Sequence, residues 1–314
     1  MTEKISLVIT VKNEEATMAR LLESFISQTL KPDEILLVDG GSEDKTVSVT
    51  EDYREQLPHL RVILEPGANI SAGRNRGIKE ARNDVIAVTD AGCRPDPQWL
   101  EILSAKLDPD VMWCAGDYVP DAQNAFEEIA GKCSTEGYFT TDHKKFKATA
   151  RNLLFRRNVW NEVGGFPVHL EISEDAFFIL KLIEKGYKFR YVSEAKVFWK
   201  PRSSYCGIFK QFDRYAFWAA RGGIAFKIYW KPLLQQFVLL LSLVLWLLLD
   251  NFYLLLMGLG LVGAYILRKF RKETFGPFSL KTLFQVVSVQ VVIQFAISVG
   301  FLSGVFDRLV KKIP

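Results

Sequence analysis

Three features of the sequence predict an α/β domain with a mostly parallel sheet, followed by an α-helical membrane segment. Short β-branched runs alternate with helical periodicities from Ile5 to Asp90, the pattern left by right-handed crossovers. Two of the runs end on an aspartate and enter a glycine turn: E-I-L-L-V-D at Glu34–Asp39 and V-I-A-V-T-D at Val85–Asp90. Between Leu233 and Leu267 only Asp250 is charged, whereas up to about Trp230 charged and apolar residues are interleaved. The 314 residues are therefore expected to divide into a globular domain over 1–205, an amphipathic interface-helix region over 206–231 and membrane helices over 232–314.

The elements follow in order. Ile5–Val11 is a strand, and Asn13-Glu14-Glu15 opens a helix whose apolar face is Met18, Leu21, Leu22, Phe25 and Ile26. Glu34–Asp39 runs into Gly40-Gly41-Ser42-Glu43-Asp44, a turn leading to a further helix. Leu60–Leu64 is a third strand, Gly67–Ser71 a loop, and Ala72–Arg82 a helix before the strand Val85–Asp90. Trp99–Leu107 and Phe126–Gly137 are helical in pattern, Val111–Val119 and Asn152–Phe155 extended, and Thr140–Lys147 a polar, basic loop expected at the mouth of the site. Ser173 is expected to cap a helix carrying Glu174 and Asp175 in its first turn and Phe177, Phe178, Leu180, Leu182 and Ile183 on its apolar face. Tyr187–Val192 and Lys196–Phe198 close the sheet.

Composition narrows the function. The formal net charge is only +4, and the basic excess flanks the apolar stretches, so it reads as an orientation signal and argues against nucleic acid as a partner. The four cysteines make no C-x-x-C pair and have no histidine at zinc-finger spacing. The chain enters its first strand without a basic flank, h-region or cleavage site, which predicts a cytoplasmic globular domain. Asn69-Ile70-Ser71 then matches a glycosylation acceptor only by chance.

In a parallel sheet, strand ends of one sense share an edge, where open α/β folds place their ligands. Asp39 and Asp90 are expected to face one crevice, with Asn13, Glu14 and Glu15 at its rim and Arg74 and Asn75 alongside. Singly each is an ordinary cap or solvated side chain. Together, two strand-end aspartates, adjacent glycines and an Arg-Asn pair point to a bound nucleotide.

These residues also carry a family resemblance. T-V-K-N-E-E at Thr10–Glu15, V-D-G-G-S-E-D-K-T at Val38–Thr46, A-G-R-N-R-G-I at Ala72–Ile78 and T-D-A-G at Thr89–Gly92, followed by V-G-G-F at Val163–Phe166 and S-E-D at Ser173–Asp175, resemble family-2 glycosyltransferases of the GT-A fold. The resemblance implies a nucleotide-sugar donor held by Thr10, Asn13, Glu14, Asp39, Arg74, Asn75 and Asp90, with Asp39 on the base. It implies Asp175 as catalytic base, with Glu174 as the other candidate, and Gly164 and Gly165 on the acceptor side. Gln211 and Arg214-Tyr215 resemble the Q-x-x-R-W element of processive synthases on that same side, with a different last residue. By the same likeness Asp90 belongs to an Asp-x-Asp motif that binds a divalent cation, Mg²⁺ or Mn²⁺. Two departures stand out: Gly40 replaces the second Asp of V-D-D-G-S, and Gly92 removes the second carboxylate of Asp-x-Asp. A metal would be held more weakly as a result, with Arg94 close in sequence to supply positive charge.

Phe209–Tyr229 is aromatic and basic, suited to a membrane interface. Leu233–Leu249 and Phe252–Leu267 are parted by Asp250-Asn251; seventeen helical residues rise roughly 26 Å, enough to cross a hydrocarbon core, and a hairpin is expected. Lys227 and Lys231 before it and Arg268–Lys272 after it place both ends in the cytoplasm. A third run, Leu283–Phe306, contains Gln285, Gln290 and Gln294 and ends in D-R-L-V-K-K. If it spans, those lysines lie outside; otherwise it is re-entrant or packs through its glutamines. The membrane segment and the resemblance, which implies inversion, together lead to the expectation of an enzyme moving one sugar from a nucleotide sugar to a membrane-held acceptor, a lipid-linked sugar or polyprenyl phosphate. The alternatives are a processive polysaccharide synthase and a catalytically weak, membrane-tethered nucleotide-sugar binding protein.

Overall fold

The structure, a computed structural model, describes residues 3–135, 148–269 and 279–311. The expected basic loop Thr140–Lys147 lies outside the described residues. Two compact units are present: residues 3–121 with 148–200, and residues 122–135 with 201–311.

The first unit is built on β1 (Ile5–Val11), α1 (Glu15–Ile26), β2 (Glu34–Asp39), α2 (Thr46–Glu51), β3 (Leu60–Leu64), α3 (Ile70–Glu80) and β4 (Val85–Asp90). It continues through β5 (Cys93–Pro95), α4 (Trp99–Ser104) and β6 (Trp113–Pro120). After the segment that belongs to the second unit come β7 (Leu153–Arg156), α6 (Arg157–Val163), α7 (Glu174–Glu184) and β8 (Phe189–Trp199). The eight-stranded sheet has the order β3-β2-β1-β4-β7-β6-β8-β5. β3, β2, β1 and β4 are mutually parallel, β7 runs antiparallel to both β4 and β6, and β6 pairs parallel with β8. The sheet is thus parallel through its first half and mixed beyond it.

Period-two alternation sends β1 side chains to opposite faces. Leu7 and Ile9 pack with Met18, Leu21, Leu22 and Phe25; Val8 packs with Ile78, Phe155, Phe166 and Phe178. Each such fully buried side chain contributes on the order of 1.5–3 kcal/mol, so both faces hold the site edge rigid. Two strand stretches expected separately, Tyr187–Val192 and Lys196–Phe198, are one strand, β8, with the register shift against β6 at Gly116/Asp117. The helix expected from Ala72 starts at Ile70, because the Asn69 side chain accepts from Ala72 N at 2.9 Å and caps it.

The second unit consists of α5 (Ala125–Thr135), α8 (Tyr205–Arg221), α9 (Ala225–Leu249), α10 (Phe252–Lys269) and α11 (Leu280–Val310). α9 kinks at Tyr229, just before Pro232, as proline requires. Pro232–Leu249 and α11 are each long and apolar enough to cross a membrane. α9 and α10 form a hairpin turned at Asp250, which adopts left-handed φ 47°.

Candidate active site

The parallel register brings the two strand-end aspartates to one edge. Asp39 is opposite Val11 and Asp90 is opposite Thr10 on the intervening β1. Asp39 is buried and closes its own turn: its carboxylate accepts from Gly41 N at 3.1 Å, Ser42 N at 3.0 Å and Ser42 Oγ at 2.5 Å. Asn13, at φ 55°, docks against that turn, donating its N–H to Ser42 Oγ and accepting from Glu43 N, both at 2.9 Å. Glu14 N donates to Thr46 Oγ1 at 2.7 Å. The helix cap is Glu14, without a side-chain cap bond, and not Asn13. Gly40 has a packing reason: a Cβ there would lie 2.8 Å from Ala68 O. Thr10 is half-buried beneath α3, its Cγ2 2.8 Å from where a Cβ on Gly73 would sit.

Arg74 links the two ends of the expected site. Its guanidinium is buried, donates through Nη2 to Asp90 Oδ1 at 2.6 Å and through Nη1 to Glu174 Oε1, and lies over the Phe166 ring at 5.3 Å. Burial alone would lower its pKa, but Asp90, Glu174 and Asp175 together raise it further, so it stays charged. Asp90 also has Arg151 Nε at 3.6 Å, and that guanidinium stacks on Trp199 at 5.0 Å and Tyr118 at 5.5 Å. Arg94, the cation expected to serve Asp90, is instead placed over Phe198 at 4.3 Å and 4.0 Å from Asp121. The reason is β5, a three-residue strand paired with β8 in which Arg94 is opposite Phe198. Arg151, just ahead of β7, carried no motif to mark it.

Glu174 and Asp175 open α7. Ser173 precedes them in the left-handed region at φ 67° and makes no side-chain cap bond, contrary to the expectation that its hydroxyl caps the helix. From the first turn of α7, Glu174 reaches the Arg74 guanidinium. Glu174 is buried; burial and then the neighbouring Asp175 push its carboxyl up to about 7, against the pull of Arg74. Asp175 is half-buried, with Oδ2 accepting from Ala150 N at 3.2 Å and Oδ1 from Ala176 N at 2.7 Å. Gly164 and Gly165 both need positive φ, 79° and 72°. Asn75 holds their loop: its Nδ2 donates to Phe166 O at 2.7 Å, and its Oδ1 accepts from Phe166 N at 2.9 Å and Trp160 Nε1 at 3.0 Å. Expected among the nucleotide ligands, Asn75 has both ends of its amide committed to the V-G-G-F loop.

The other two expected acceptor-side residues lie on α8 in the second unit. Gln211 accepts from Arg202 Nε and donates to Tyr215 OH, both at 3.2 Å, and Arg214 is exposed. Among the described residues no group of three or more His, Cys, Asp or Glu side chains could cage a metal. One carboxylate, completed by substrate phosphate oxygens and water, is nonetheless an ordinary Mg²⁺ arrangement, and Asp90 offers it. At Gly92 a Cβ would meet nothing within 4 Å, so packing does not forbid a second carboxylate there.

Comparison with known proteins bears on this arrangement. Over 201 residues the chain is 28% identical to the glycosyltransferase AglE of Haloferax volcanii, covering 60% of this chain and 64% of that protein, short of two thirds of its length. Over 214 residues it is 24% identical to the glucosyl-dolichyl phosphate glucuronosyltransferase of the same organism, covering 62% and 68%. Its fold is similar to that of the mannosyltransferase PcManGT from Pyrobaculum calidifontis, solved in complex with GDP-Man and Mn²⁺, at a TM-score of 0.61 and 16% identity over 98% of this chain and 88% of that one. That likeness gives a GT-A-type architecture. Residues 6–164 match the family described as glycosyl transferase family 2, half of the chain, and the protein belongs to that family.

Proposed function

We propose that the protein transfers a single sugar, with inversion, from a nucleotide-sugar donor to a lipid-linked or otherwise membrane-held acceptor. The observation that carries this reading is Arg74, which ties Asp90 at the strand edge to Glu174 beside Asp175. One buried cation thereby fixes the distance between the donor-side and acceptor-side carboxylates. Asp39, Asn13, Glu14 and Thr10 form the nucleotide end, and Gly164 and Gly165 the acceptor end. Of the two acids on α7, Asp175 is the better base, since Glu174 is buried against Arg74 whereas Asp175 retains exposure.

In the proposed reaction the acceptor hydroxyl oxygen attacks the anomeric carbon as its proton passes to Asp175. The nucleoside diphosphate leaves from the opposite face with the bonding pair. Arg74 and Arg151 bring positive charge to the carboxylate next to that leaving group. A divalent cation bound at Asp90 would neutralise diphosphate charge. The apolar α9–α10 hairpin and the lipid-linked substrate named for the dolichyl phosphate relative support a membrane acceptor, and the basic residues flanking the hairpin support a cytoplasmic site.

The test uses native membranes and a radiolabelled nucleotide sugar. A product larger by one residue, with the anomeric configuration opposite to the donor's, is expected. A ladder of products, or a retained configuration, refutes the proposal.

A further inference from the structure

α8 and α11 run side by side in the same direction. Tyr205 OH meets Ser288 Oγ at 2.8 Å, the Phe209 ring lies 5.9 Å from Phe295, and Arg221 Nε is 3.3 Å from Asp307. Between them, Gly300 lies against Asp213 O and Gly304 against Phe217 O so closely that a Cβ at either glycine would collide with backbone. α8 thus advances from Tyr205 to Arg221 as α11 advances from Ser288 to Asp307.

This pairing restricts what α11 can do in a bilayer. The stretch from Ser288 to Asp307 rises roughly 30 Å, the full thickness of a hydrocarbon core. The part of α11 before it, Leu280–Val287, rises only ~12 Å. Hence α11 cannot cross without drawing α8 in beside it. α8 carries Lys210, Asp213, Arg214 and Arg221, and Lys210 and Arg214 are exposed, so they would face lipid, where such charges are strongly disfavoured. α11 meanwhile shows one apolar face along its whole length: Phe284, Phe295 and Phe306 are 72%, 60% and 70% exposed and, at eleven-residue spacing, fall three turns apart on one side.

We propose that α11 does not span the membrane but lies in the plane of its interface alongside α8, with its phenylalanine face in the acyl boundary and the basic residues of α8 among anionic headgroups. The chain then crosses only through the α9–α10 hairpin, and Lys311 ends on the same side as the first unit. This rests on the membrane reading proposed above, but not on the transfer reaction.

The experiment reads depth directly. Nitroxides are attached singly through Phe284→Cys, Phe295→Cys, Phe306→Cys and, on α9, Leu240→Cys, each in full-length Cys206→Ser protein reconstituted into vesicles of phosphatidylcholine and phosphatidylglycerol. Accessibility to oxygen and to a water-soluble nickel chelate gives their depths. The three α11 labels are expected at one shallow depth and Leu240→Cys much deeper. In a spanning helix, position 295 would lie deep, with 284 and 306 each displaced by roughly 16 Å along the axis toward opposite surfaces; that result overturns the proposal. All four labels in water would overturn the membrane reading itself. A second readout is sidedness: Lys311→Cys and Glu55→Cys are expected to react with an impermeant maleimide from the same side, and opposite sides would overturn the in-plane arrangement.

Discussion

The Glu174→Gln substitution isolates the charge at the centre of the site. Glu174 has an ordinary carboxyl value of 4.5 and is pushed to about 7 in the fold, burial being the largest cause and Asp175 the next. Because the folded value is the higher one, the group's contribution to stability is fully present below pH 4.5 and is lost as the pH rises through 7. The two and a half pH units between those values, at about 1.4 kcal/mol each, make about 3 kcal/mol. Glutamine keeps the shape and can still accept from Arg74, but it has no proton to lose. The variant should therefore gain about 3 kcal/mol relative to wild type between pH 4.5 and pH 8, or roughly 5–10 °C in a domain of this size. The assay is the difference in thermal midpoint between the two full-length proteins in the same detergent across that range. A difference that stays flat with pH refutes the reasoning. One that runs the other way means that the pull of Arg74 outweighs burial.

Three other substitutions probe the rest of the site. Asp175→Asn is expected to lower turnover by about 10² to 10⁴ with donor affinity unchanged; turnover within a few-fold of wild type would remove Asp175 as the base. Gly92→Asp meets no steric obstacle and should lower the Mn²⁺ concentration needed for donor-induced thermal stabilisation several-fold, a result that unchanged metal dependence would contradict. Gly165→Ala forces a side chain into φ 72° and within 2.8 Å of both Asn75 Oδ1 and Trp160 Nε1. It should destabilise by about 1–3 kcal/mol, and a loss below about 0.5 kcal/mol in chemical unfolding would show that the loop gives way easily.

How much of this was legible depended on whether the signal was local. β1 to β4 were, because apolar β-branched runs stop abruptly at Asp39 and Asp90, and parallel pairing then fixes which edge those carboxylates share. β5 was not, since three residues carry no periodicity, and missing it misplaced Arg94, whose strand pairing turns it to Phe198. The Arg74–Glu174 contact joins residues a hundred positions apart, with nothing in either neighbourhood to announce it. Arg74 and Asn75 are adjacent in sequence, but on a helix successive side chains diverge by about 100°. One reaches the aspartate edge and the other the V-G-G-F loop, so a dipeptide that looked like one function serves two.

The two glycines that depart from the family pattern look alike in sequence and differ physically. At Gly40 the carbonyl of Ala68 occupies the place a Cβ would take, so a side chain there requires the backbone to move and the glycine is explained by packing. At Gly92 the space is open, so the missing carboxylate needs an electrostatic explanation. Around Asp90 stand two cations, Arg74 and Arg151, while Glu174, with its value near 7, is largely neutral in mildly acidic solution. A donor diphosphate entering beside Asp90 would add negative charge that these two arginines only partly offset. A carboxylate at position 92 would deepen that deficit and make a tightly held divalent cation a condition of binding. With glycine at 92, the proposed reading would have Arg74 and Arg151 carry a larger share and the cation act as a weaker, more exchangeable contributor. On this argument Gly92→Asp alone would tighten the cation's hold, and removing the Arg151 charge as well would make donor binding depend on that cation still more steeply.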